Sequence, residues 1–147
     1  MGWLSNGCAA MGLAGLALLA APAMTAEGAA RAMPAHALIL FGANWCAPCL
    51  AELRDLPDHA AAMAPAPVLL AWTDGAPRPL WPTWPANAHL LPAGEGAALL
   101  ARIGGRTAGL PYVAMLDGEG RLCADLRGKL DAARLAALKA RCAEAAR

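Results

Sequence analysis

Ala37-Leu38-Ile39-Leu40-Phe41-Gly42-Ala43-Asn44-Trp45-Cys46-Ala47-Pro48-Cys49 is the stretch from which the rest of the chain is read. It opens on a short run, residues 37–41, that is apolar at every position. A strand buried on both faces needs that pattern. Gly42-Ala43-Asn44 then breaks the run. From Cys46 onward the apolar residues fall at 46, 49, 50, 53, 56, 60 and 63. These steps of three and four predict a helix, with Leu50, Leu53 and Leu56 in the core. Pro57 is expected to kink or divide it.

Two cysteines therefore sit where a buried strand hands over to a helix. Unpaired backbone N–H groups and the positive end of the helix dipole collect there. Both favour thiolate over thiol, so Cys46 is the expected nucleophile, with a lowered pKa. Cys49 lies one turn inside, near enough to close a disulfide and more sheltered. Pro48 suits the first helical turn, where its missing N–H costs nothing. Zinc sites use the same spacing but need two more ligands. Cys123, Cys142, His36, His59 and His89 are scattered without a second paired spacing. Redox chemistry is preferred to metal binding.

Outward from this junction, Val68–Trp72 reads as a second buried strand and residues 75–92, with five prolines, as an irregular excursion. Glu95 to Ile103 is a short helix ended by Gly104-Gly105. Tyr112–Leu116 is a third strand, 117–120 a turn, and Arg121 to Arg127 a fourth, half-exposed strand. Asp131 caps a last helix, with Leu130 placed to staple onto Leu135. Leu135, Leu138 and Cys142 line its inner face.

The chain's 147 residues suggest one domain. With 12 basic and 11 acidic residues and no basic stripe, nucleic acid is excluded as a partner. The first charged side chain is Glu27, and Leu13–Ala21 before it is an apolar core followed by Pro22-Ala23. This reads as a signal peptide over residues 1–23, with a second possible cut after Ala26. The n-region lacks Lys and Arg, so an uncleaved membrane anchor is the alternative. Cleavage is preferred, and it removes Cys8. The four cysteines left, Cys46, Cys49, Cys123 and Cys142, match two disulfides in an exported chain. Whether Cys123 faces Cys142 is open, because either strand face is compatible with the pattern.

Phe41 to Cys49, with Glu52 and Leu53 behind, resembles the active-site segment of the thioredoxin superfamily. It is most similar to the exported TlpA/ResA-type thiol:disulfide oxidoreductases. Gly109-Leu110-Pro111-Tyr112 is similar to that family's cis-proline loop. The resemblance spans about residues 36 to 145. It implies an α/β, thioredoxin-like fold: a central mixed sheet flanked by helices, over residues 36–147 after a 24–35 lead-in. It implies thiol–disulfide exchange with protein substrates, Cys46 and Cys49 being catalytic and Trp45, Pro48, Leu110 and Pro111 contacting substrate. No cofactor or metal is implied. The chain departs from the family at Leu40, where thioredoxin carries a buried acid six positions before the first cysteine. Glu52 is then the possible proton-transfer group, or simply an acid favoured by the helix dipole.

Ala47-Pro48 lacks the histidine of strongly oxidising pairs, which by analogy implies a reductase nearer about −270 mV than about −120 mV. A reductase needs an electron donor, for which a membrane thiol carrier is one option, and periplasmic cytochrome c maturation is one setting. A non-catalytic binding module on the same fold is the alternative, followed by a metal carrier using Cys46 and Cys49. Trp81 and Trp84 read as lids on the core or as a docking surface, and the three histidines as surface or hydrogen-bonded residues.

Overall fold

The computed structural model describes residues 32–77, 83–104 and 109–147. The signal peptide or anchor, most of the lead-in and Trp81 lie outside the described residues. Among those described, no helix is long and apolar enough to cross a membrane.

The chain runs β1 (Leu38–Gly42), α1 (Ala47–Arg54), α2 (Leu56–Met63), β2 (Val68–Trp72), β3 (Ala88–Leu90), α3 (Glu95–Ile103), β4 (Tyr112–Leu116), β5 (Leu122–Arg127) and α4 (Ala132–Ala145). The strands form one sheet in the order β3-β2-β1-β4-β5. β1 pairs in parallel with β2, and β2 with β3, while β4 runs antiparallel to both β1 and β5. β1, β2 and β4 are buried at every position because helices cover both faces. On one face Leu38, Leu40, Leu70 and Val113 meet Leu53, Leu56 and Met63 of α1–α2 and Leu135 and Leu138 of α4. On the other, Ile39, Phe41, Leu69 and Ala114 meet Leu99, Leu100 and Ile103 of α3. Adjacent strand residues alternate between the two cores, as the pleat requires. The packing of α3 is close: a Cβ on Gly96 would overlap the Trp72 carbonyl.

Three expectations are corrected. The proline-rich excursion contains a strand, β3, which extends the sheet by one parallel edge. Asn87 anchors its entry, Nδ2 donating to the Ala60 and Ala66 carbonyls, both at 2.9 Å. Leu50 is not in the core but 36% exposed, and Glu52 takes the inward position instead. His59 is neither at the surface nor satisfied. It is buried in α2, with Nε2 lacking a hydrogen-bond partner among the described residues. His36 and His89 are exposed, and Trp84 is half-buried against the core.

Elsewhere structure and expectation agree. The long helix divides before Pro57, at Asp55. Asp131 caps α4 by accepting from the Arg134 N–H at 2.8 Å, and Leu130 and Leu135 are buried in one core. Lys139 Nζ ties α4 to the end of α2 by donating to the Ala62 carbonyl at 2.8 Å.

Candidate active site

β1 delivers the chain to the carboxyl end of the sheet, where the loop to α1 is fastened on several sides. The Asn44 N–H reaches both carboxylate oxygens of Asp74 at 2.9 Å, and Trp72 Nε1 donates to Asn44 Oδ1 at 3.3 Å. The Thr73 N–H donates to the Gly42 carbonyl at 2.9 Å. Gly42 has no side chain because the Trp72 ring fills the place a Cβ would take. The turn before the cysteines is thus anchored to the end of β2. Asp74 was not singled out from the sequence. Its one signal is its position just after a parallel strand that neighbours the cysteine-bearing one.

Cys46 is the N-cap of α1, with extended backbone at φ −88° and ψ 94°. Its Sγ accepts from the Cys49 N–H at 3.3 Å, the contact that stabilises negative charge on a cap atom. Cys46 and Cys49 form a disulfide with Cα atoms 5.2 Å apart. Exposure does not separate the two, at 3% and 2%. The cap position does: only Cys46 stands at the helix end. Pro48 occupies the first turn, and Trp45 beside the pair is 73% exposed.

Glu52 lies one turn beyond Cys49 on the same helix face, and Cys49, Glu52 and Leu53 are the buried residues of α1. Its Oε1 accepts from the Leu130 N–H at 2.7 Å. Burial pushes its pKa from 4.5 up to about 7, against the opposing pull of that hydrogen bond and of Lys129. An acid placed there only for the helix dipole would face water. Leu40, at the place of thioredoxin's buried acid, is an apolar core residue.

The Leu110–Pro111 peptide is cis, as is Ala64–Pro65, which had not been expected. Tyr112 pairs with Phe41 across β4 and β1, so Pro111 enters the sheet at the end from which β1 leads to Cys46. Leu110 packs partly buried against both cores.

Cys123 and Cys142 form a second disulfide, joining β5 to α4 with Cα atoms 5.0 Å apart. Met115 pairs with Ala124 and Leu116 with Leu122, so Cys123 is the extra residue of a bulge. A bulge re-aims a side chain, which is why alternation alone left its face open. Among the described residues no group of three or more His, Cys, Asp or Glu side chains converges to hold a metal.

No family model matches the sequence, and no curated protein matches it either. Solved structures do. The pneumococcal exposed lipoprotein thioredoxin of Streptococcus pneumoniae aligns over 74% of this chain and 87% of its own, at 24% identity and a TM-score of 0.57. A thiol:disulfide interchange protein of Chlorobium tepidum, DsbE, aligns over 77% and 81%, at 18% identity and a TM-score of 0.51. The chain therefore has a thioredoxin-like fold, carrying a Cys46–Cys49 pair at disulfide distance.

Proposed function

We propose that this chain is an exported thiol–disulfide oxidoreductase that reduces disulfides in protein substrates. The observation that carries the reading is Cys46 at the N-cap of α1, bonded to Cys49, with the buried Glu52 carboxyl one turn below. In the reduced protein the Cys46 thiolate attacks a substrate disulfide. One substrate sulfur joins Cys46, and the other leaves as a thiolate that takes a proton from water. Glu52 accepts the proton of the Cys49 thiol. The Cys49 thiolate then attacks Cys46 Sγ, releasing the second substrate sulfur and restoring the disulfide. Two electrons pass to substrate in each cycle, and a donor thiol must return them. The exposed Trp45 and Pro48, with the half-buried Leu110 before the buried Pro111, supply the surface for an extended substrate segment.

The reading of residues 1–23 as a signal peptide supports export, and the periplasm is the compartment we assign. A membrane thiol carrier as donor and cytochrome c maturation as setting agree with a reducing pair. The similarity to an exposed lipoprotein thioredoxin supports a location outside the cytoplasm.

Insulin reduction with dithiol as donor tests the activity. The intact pair turns over, Cys46→Ala abolishes exchange, and Cys49→Ala accumulates mixed disulfides that mass spectrometry places on Cys46. Silence of the unmodified protein in this assay, together with a thiol pKa for Cys46 near the free value of about 8.5, would reduce the chain to a binding module. Equilibration with glutathione fixes the potential, and a value near about −120 mV would overturn the reducing direction.

A further inference from the structure

Three consecutive residues between β5 and α4 fasten to three different parts of the site. The Gly128 N–H donates to the Pro111 carbonyl at 2.8 Å. Lys129 Nζ pairs with Asp55 Oδ2 at 2.8 Å. The Leu130 N–H donates to Glu52 Oε1 at 2.7 Å. Gly128 has φ +96°, a conformation that side-chain-bearing residues avoid, and it turns the strand end toward the helices. Arg134 Nη1 closes the segment from α4 by donating to the Lys129 carbonyl at 2.8 Å. The strap so formed runs from the cis-proline loop to the buried carboxylate.

We propose that Lys129 is a positioning residue for the resolving step: by pinning residues 128–130 to Asp55 it holds the Leu130 N–H on Glu52. The inference rests on the reading of Glu52 as acceptor of the Cys49 proton. Leu130 is fully buried where it stands, so its N–H bonds to the carboxylate and not to water. A hydrogen bond to the ionised form opposes the burial that raises Glu52. The proton affinity of Glu52 then depends on how firmly the strap is held, and the Lys129–Asp55 pair is the hold that lies at the surface.

The charged groups around Glu52 allow the hold to be separated from plain charge. Lys129 faces it from the strap and lowers its pKa, and Asp55 on its own helical segment raises it. Asp131, at the start of α4, and His59 of α2 act on this pair at one remove. Burial lowers the pKa of His59 from 6.5, which favours its neutral form where Glu52 titrates, near 7. Loss of Lys129 raises Glu52 under either account. Loss of the Asp55 charge does not. Through space alone Asp55→Asn lowers Glu52, whereas release of the strap raises it.

The test follows the Glu52 carboxyl carbon by NMR in the oxidised, glutamate-labelled full chain, from about pH 5 to about pH 9, with Glu52→Gln identifying the resonance. Lys129→Gln and Asp55→Asn are both expected to move the midpoint upward by about half a pH unit, and Lys129→Arg to restore it. The pH profile of resolution, read by stopped-flow release of a peptide from its mixed disulfide with Cys46, should move with it. A midpoint that stays put in Lys129→Gln, or moves down in Asp55→Asn, overturns the positioning role. A resolution profile that is the same in Glu52→Gln as in the unmodified protein overturns instead the acceptor reading beneath it, whatever the NMR midpoints do.

Discussion

Glu52→Gln should stabilise the oxidised protein above neutral pH while slowing its turnover. Glu52 is 3% exposed, and its pKa rises from 4.5 to about 7 on folding. Between these values the native state holds a proton that the unfolded chain has released. Its contribution is therefore fully present below pH 4.5 and is lost as pH rises through about 7. At about 1.4 kcal/mol per pH unit, the interval is worth about 3 kcal/mol. Gln carries no charge at any pH, and its amide oxygen can still accept from the Leu130 N–H. The gap in unfolding free energy should thus widen in favour of Glu52→Gln by about 3 kcal/mol between pH 4.5 and pH 8. Guanidinium unfolding of both oxidised proteins, followed by tryptophan fluorescence across that range, measures it. Resolution of the mixed disulfide should slow by about 100-fold at neutral pH, the lower end of what a positioned base contributes. A gap that stays constant with pH would show that Glu52 titrates as an ordinary surface acid, and the argument from burial would fail.

Further expectations follow from other parts of the molecule. Cys123→Ser with Cys142→Ser should cost about 3 kcal/mol, since the disulfide closes a loop with a sequence separation of 19; free thiols at both positions in the unreduced, denatured protein would remove the basis for this. His59→Leu replaces a buried imidazole whose Nε2 has no hydrogen-bond partner among the described residues, and should gain about 1 kcal/mol near neutral pH. Because the His59 pKa is lowered on folding, its stability contribution is lost as pH falls below 6.5, so the gain should grow on the acid side; a gain that shrinks there would contradict the sign. Asp74→Ala releases the Asn44 N–H and should cost about 1 kcal/mol of stability. It should also lower kcat/KM for exchange, and unchanged kinetics would show that the Asn44 turn holds itself.

The parts of the site that were readable in advance are those made by neighbours in sequence. A buried strand, a glycine break and a cysteine at a helix start follow from residues 37–49 alone. The Asp131 cap sits in a short stretch with its own chemistry, and the cis bond before Pro111 is what the resemblance of residues 109–112 implied. What escaped depends on distant partners. Ala88-His89-Leu90 has too few residues to show a period, and it becomes a strand only because β2 offers an open edge. Apolar spacing alone puts Leu50 on the inward stripe with Leu53 and Leu56. The helix buries Cys49, Leu53 and, unlike the apolar pattern, Glu52, while Leu50 turns outward. The apolar spacing of residues 46–56 does not show that Glu52 turns inward. The partner making it tolerable, the Leu130 N–H, lies 78 residues away.

That exchange of places explains how the pair keeps a buried acid without one on the strand. In thioredoxin the acid rises from the central sheet, six residues before the first cysteine; here the matching Leu40 is 3% exposed among core side chains. Here the buried carboxyl, Glu52, stands on α1, one turn beyond Cys49. The consequence lies in what controls it. An acid on a central strand is surrounded by sheet, which does not move without unfolding. Glu52 answers to a short segment between β5 and α4, held by the Lys129–Asp55 ion pair, the Gly128 bond to the cis-proline loop, the Arg134 bond to the Lys129 carbonyl and the Asp131 cap. The helix that follows this segment is itself tied to β5 by the Cys123–Cys142 disulfide. The second disulfide thus steadies the element that begins just after Leu130, and its loss should loosen the hold on Glu52 as well as lower stability.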